Sequence, residues 1–93
     1  MDKETFRKKL EGEGFPYIYE WRDGPGVEYP NHKHTDRVSM YILDGGLTFH
    51  FSDGDMILKK GDRFDVPAGK EHTAKVGKEG CSFLVGEMVE GDS

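Results

Sequence analysis

Gly26-Val-Glu-Tyr-Pro-Asn-His32-Lys-His34 is the stretch on which the reading of this chain turns. Two histidines stand two residues apart, behind a Gly/Pro turn at Asp23-Gly-Pro-Gly26 and ahead of the apolar run Val38 to Leu43. Side chains on a β-strand repeat with period 2, so His32 and His34 share one face, roughly 7 Å apart along the strand. Pro30 has no backbone N–H, which marks Val27 to His34 as an edge or irregular strand. Two imidazoles on one wall are half of a metal site.

Working outward, the chain reads as short strands joined by tight turns. Val38 to Leu43 is the most apolar strand, and Asp44-Gly45-Gly46 after it carries a hairpin signal. Leu47, Phe49 and Phe51 then share one face, with Thr48 and His50 on the other, which makes His50 a surface residue. Ser52-Asp-Gly54 and Lys60-Gly-Asp62 bracket a short strand from Met56 to Lys59. Phe64 and Val66 lead into Pro67-Ala-Gly69. Beyond it His72, Ala74 and Val76 share a face, Gly77 to Gly80 turn the chain, and Cys81 to Val89 is the last strand. Upstream, Phe15, Tyr17, Tyr19 and Trp21 alternate with other residues as an aromatic strand face, expected in the core or at a dimer contact rather than around a ligand. Asp2 to Glu11 is the one helical segment, capped by Asp2, stopped by Gly12, and packed through Phe6 and Leu10.

About eight strands at this spacing predict an all-β domain, a closed barrel or double-sheet jelly roll, because an open sheet of this size leaves long unpaired edges. The expected organisation is a single domain over 1–93, with a helical preface at 1–14, the barrel at 15–89 and a loose tail at 90–93. Ninety-three residues, 34% of them hydrophobic, hold material for one core. The net charge of −5 is spread among 33% charged residues, which gives no basic footprint for nucleic acid. No apolar run reaches the length of a membrane span, and Met1-Asp-Lys-Glu does not read as a signal peptide. The lone Cys81 has no intrachain disulfide partner, fits a reducing compartment, and is expected as a small buried hydrophobe; the expected localisation is cytoplasmic.

Two spaced motifs add a resemblance. Gly26, five residues, His32-Lys-His34 and then Leu43-Asp-Gly45 resemble the first motif of the cupin barrels. Gly61-Asp62, five residues on to Pro67-Ala-Gly69, and His72 resemble the second. The resemblance spans 26–76 and implies a small double-stranded β-helix in which His32, His34 and His72 hold a divalent transition metal such as Fe, Mn, Ni or Zn. The residues give this physical sense. The Pro67–Gly69 turn delivers a third imidazole to a second wall, and three nitrogens leave the rest of an ion's shell open. Met40, Ile42, Phe49, Phe51 and Phe64 are the candidates for its apolar surround, and parity alone does not separate those that line the cavity from those that pack outside it.

Two positions depart from the pattern. Such barrels usually carry a glutamate on the strand after the His-x-His pair, and Val38 stands there; Val76 replaces an asparagine. A three-histidine shell is neutral, so a bound divalent ion keeps its full charge and attracts anionic or chelating ligands. Asp36 is the nearest carboxylate that a turn could aim inward. Glu71 points away from His72 by parity, and Glu28 lies roughly 13 Å along the chain from His32. The expected function is metal binding through three histidines. One extension is oxidoreductase or dioxygenase turnover of a small anionic or chelating substrate. The other is a non-catalytic module that binds a small, sugar-like molecule and signals through a partner. The expected partners are a small-molecule ligand and a second copy of the chain in a homodimer, with no nucleic acid and no membrane.

Overall fold

The computed structural model describes residues 2–92. Helix α1 (Lys3–Gly12) is followed by β1 (Tyr17–Asp23), β2 (Glu28–His32), β3 (Val38–Phe51), β4 (Gly54–Lys59), β5 (Arg63–Val66) and β6 (His72–Glu87). Of the residues expected in the tail, Ser93 lies outside the described range. The predominantly antiparallel β architecture with one short N-terminal helix is the double-stranded β-helix that the resemblance implied.

Six strands stand where about eight were counted, and the reason is local. Asp44-Gly45-Gly46 is not a hairpin. It lies inside β3, which runs on from Val38 to Phe51. Gly77 to Gly80 likewise lie inside β6. The two long strands run side by side through one shared corner, where Gly45 pairs with Cys81 and Leu47 with Val76. Four residues of β6, Gly77 to Gly80, thus stand against Gly46 alone, and that mismatch bends the ribbon without reversing it. Gly45 has φ +71, and a Cβ there would lie 2.0 Å from the Gly80 carbonyl oxygen, so only glycine admits so close a crossing.

Each half of the bent ribbon gains one strand on either side. The first half forms the row β1, β6 (Cys81 to Glu87), β3 (Val38 to Gly45), β5, and the second forms β2, β6 (His72 to Val76), β3 (Gly46 to Phe51), β4. Both halves point away from the corner, so the two ends of β6, His72 and Glu87, return to the same open end of the sandwich. Between the halves pack Met40, Ile42, Phe49, Phe83 and Val85, among others.

The helix covers the outside of the first half. Asp2 caps it by accepting from the Thr5 amide at 3.0 Å and the Thr5 hydroxyl at 2.9 Å. Phe6 and Leu10 are buried against Tyr41, Leu84 and Phe15, and the Phe6 and Tyr41 rings stack at 4.1 Å. Each such apolar side chain contributes roughly 2 kcal/mol of burial. Tyr41 is therefore a packing aromatic outside the cavity. Arg63 ties the helix end to β5, donating to both Glu13 carboxylate oxygens at 2.7 and 2.6 Å. Among the described residues no helix is long and apolar enough to cross a membrane.

Candidate metal centre

His32 and His72 face one another as register partners of β2 and β6. A bulge in β2 makes this so. Glu28 pairs with Lys75 and Tyr29 with Ala74, which in an unbroken ladder would set Asn31 against His72; one extra residue near Pro30 brings His32 there instead. The bulge also changes parity, so Tyr29 rather than Glu28 shares the inner face with His32, and Glu28 is exposed. His34 follows in the loop after β2. Its carbonyl accepts from the Gly69 amide at 2.9 Å, which joins the His-x-His loop to the turn that delivers His72.

The three rings converge. Centroid distances are 5.1 Å for His32–His34, 4.4 Å for His32–His72 and 5.1 Å for His34–His72. One nitrogen from each ring lies within 4.8 Å of the other two. His34 and His72 are buried, His32 partly so. Each Nδ1 meets a backbone carbonyl: Pro30 at 2.7 Å for His32, Asp92 at 2.8 Å for His34, Lys70 at 3.0 Å for His72. A carbonyl can only accept, so the proton sits on Nδ1 and the Nε2 lone pair is left free. Carbonyl partners of this kind orient imidazoles toward metals. Nε2 of His72 is buried without a hydrogen-bond partner, a costly condition that a cation relieves. Burial pushes the His72 pKa below the ordinary imidazole value, and the neighbouring His32 and His34 push it the same way, against the Lys70 carbonyl. The donor set thus fits a divalent transition ion.

His72 packs against the adjacent Phe49 and Phe51 rings, 5.3 and 5.4 Å from its own. His32 and His34 open onto a cavity of about 680 Å³ lined by Tyr19, Met40, Leu47, Phe49, Phe83 and Val85, among others. Met40 and Phe49 take the lining role expected of them; Ile42 is wholly buried in the packing between the sheets. In the aromatic strand Phe15 takes the core role expected of it, under the helix, and Tyr19 packs against the main core; Tyr19 and Trp21 also line the cavity, which was not expected of them. At the far wall the Tyr29 hydroxyl and the Trp21 indole N–H donate to the two oxygens of Asp23.

The remaining candidates stand elsewhere. Asp36 spends its carboxylate on the Arg37 amide at 2.7 Å, and Glu71 is exposed; neither joins the imidazoles. His50 is exposed and pairs with Asp55 at 2.9 Å. Cys81 is the small buried residue expected, fully buried at the corner, where burial pushes its thiol up to about 11.

Two residues near the site escaped the sequence reading. Asp92, expected in a loose tail, holds His34 through its carbonyl. Its carboxylate accepts from the Thr35 amide and hydroxyl at 2.7 and 2.9 Å and from the Asp36 amide at 3.0 Å. No local pattern announces a contact across so much chain. Glu87 is buried on the inner face of β6, and its parity with Cys81, Phe83 and Val85 was the available signal.

A bent two-sheet barrel with three convergent imidazoles at its open end defines a class of small β-barrel with a candidate metal pocket. A family profile described as a cupin domain matches residues 19–86, and the chain belongs to that family. Among solved structures, a cupin-2 domain protein from Shewanella frigidimarina is 25% identical, over 75% of this chain and 67% of its own, with a TM-score of 0.66. A cupin superfamily protein from Desulfitobacterium hafniense is 25% identical over 73% and 62%, TM-score 0.65. The polyketide cyclase RemF from Streptomyces resistomycificus is 24% identical over 77% and 54%, TM-score 0.67, a likeness of fold. A search of curated proteins finds no match.

Proposed function

We propose that this chain is a metal-binding cupin in which His32, His34 and His72 hold a divalent transition ion and the adjoining cavity receives a small chelating acid, turned over as in dioxygenases. The observation that carries this reading is the set of three Nδ1–carbonyl hydrogen bonds. They leave the three Nε2 lone pairs free on rings that each bring one nitrogen within 4.8 Å of the others, the His72 Nε2 buried and unpartnered. A bound ion supplies Lewis acidity and, if it is iron or manganese, redox chemistry. The chain supplies the rest. Three neutral donors leave the ion's charge uncancelled, which favours an anionic chelating head. Met40, Leu47, Phe49, Phe83 and Val85 exclude water around an apolar body. An anionic chelating head answers the ion's charge better than a neutral sugar-like ligand does.

The test is metal titration of untagged, chelator-stripped protein with Fe(II), Mn(II), Ni(II) and Zn(II). Wild type binds one ion per chain, and the double variant His32→Ala/His72→Ala binds none. Equal metal content in the two proteins sinks the site. Oxygen uptake is then screened with small hydroxy acids, thiols and β-diketones. Ligand binding without uptake on any metal would leave a binding module and remove the enzyme.

A further inference from the structure

The Val38 position and its register partner show where a missing carboxylate has gone. Val38 pairs with Glu87 across β3 and β6, and paired residues project from the same face. Val38 lines the cavity together with His32 and His34. Glu87 therefore points inward as well, from the wall opposite the sheet that carries His72, at the same open end. It is 1% exposed, and among the described residues no other acidic side chain is fully buried. Its oxygen accepts from the Tyr19 hydroxyl at 2.9 Å, and Tyr19 lines the cavity. Among the described residues no Lys, Arg or His forms an ion pair with it.

A carboxylate taken out of water with one neutral donor and no cation is costly, and folds keep such groups where an ion or partner offsets them. At the same open end stand three imidazoles with free lone pairs and no negative charge. The shortage on each side answers the other.

We infer that Glu87 is the charge-compensating carboxylate of this metal site, delivered from β6 in place of a glutamate at position 38; the inference rests on the three-histidine reading above. The carboxylate is not among the atoms that lie within 4.8 Å of one another, so Glu87 acts across the cavity as a positioning and affinity residue rather than as a fourth ligand. It offsets part of the ion's charge and holds the Tyr19 hydroxyl at the wall a bound ligand would touch. Outer partners of this kind carry about 10- to 100-fold in metal affinity.

The experiment is competition titration of Ni(II) and Zn(II) against a chromophoric chelator, with melting curves of the metal-free chain beside it. Glu87→Gln keeps size and hydrogen bonding but removes the charge; it is expected to weaken both metals about tenfold while melting, metal-free, at or above the wild-type temperature. Val38→Glu/Glu87→Gln, which moves the carboxylate to the neighbouring strand, is expected to recover the lost affinity. Wild-type affinity in Glu87→Gln overturns the inference, and so does a metal-free melting point that falls along with the affinity, since that marks a structural role. Loss of binding in His72→Ala alongside unchanged binding in Glu87→Gln sinks the Glu87 role alone; unchanged binding in both sinks the site itself.

Discussion

The two ends of this barrel solve opposite problems with the same two strands. At the closed end β3 and β6 cross so tightly that a Cβ on Gly45 would fall 2.0 Å from the Gly80 carbonyl oxygen, and Cys81 and Ile42 are fully buried nearby. Away from the corner the two halves of the paired ribbon stand apart and leave room. There polar groups sit buried: the Nε2 of His72 without a hydrogen-bond partner, and Glu87 accepting from the Tyr19 hydroxyl. Packing leaves the closed end no freedom, so it sets the shape. The open end gives up stability to hold groups that a ligand would complete.

The comparison is broken most directly at Gly45. Gly45→Ala is expected to cost roughly 3 kcal/mol or more, from the left-handed backbone and the backbone clash together, or to prevent folding. Gly61 also has a positive φ, +91, but nothing lies within 4 Å of its Cβ position, so Gly61→Ala should cost only about 1 kcal/mol. Urea unfolding of both variants measures this. Equal losses would mean that the corner is not the constraint described.

His72→Ala probes the other end. It should lower metal affinity by more than the roughly 100-fold that outer partners carry, while the metal-free chain stays folded by circular dichroism. A collapse like that of Gly45→Ala would make the open end structural as well.

Asp92→Ala should cost about 1 kcal/mol, in the manner of a lost cap, and loosen His34, seen as a few-fold weaker metal binding. Its pH dependence has a definite sign. Burial alone would raise the Asp92 pKa, but the Thr35 and Asp36 amides and the Thr35 hydroxyl outweigh it and hold the carboxyl below its usual 3.8. The folded chain thus binds fewer protons there than the unfolded one, so this contribution is present above that value and is lost as pH falls below it. Acid unfolding curves of wild type and Asp92→Ala should converge at low pH.

The smallest effect belongs to Trp21, which lines the cavity and is 54% exposed. Trp21→Ala should change stability by no more than about 0.5 kcal/mol. As the chain's single tryptophan, Trp21 should report cavity filling by quenched or shifted emission. Unchanged emission on saturation with metal and ligand would place the ligand elsewhere.

The site was legible to the extent that local rules govern it. His32, His34 and His72 could be named because strand period and turn chemistry act over a few residues, and a Pro-x-Gly turn announces the strand it starts. The bends at Asp44–Gly46 and Gly77–Gly80 were misread as reversals because glycine permits both. Which one occurs depends on whether two long strands stay paired through the corner. The aromatic alternation at Tyr19 and Trp21 was visible, but its side was not, since parity defines a face without saying what it looks at.

Sequence alone determined the strand-rich barrel, the helical preface and the three histidines, because these follow from period, turn residues and spacing within short windows. Tertiary structure decided the rest. A bulge at Pro30 put His32 rather than Asn31 opposite His72, Asp92 came back to hold His34, and Glu87 arrived beside Val38 from the far end of the chain. These are pairings between distant segments. They are settled by how the strands register against one another, and no local stretch carries that information.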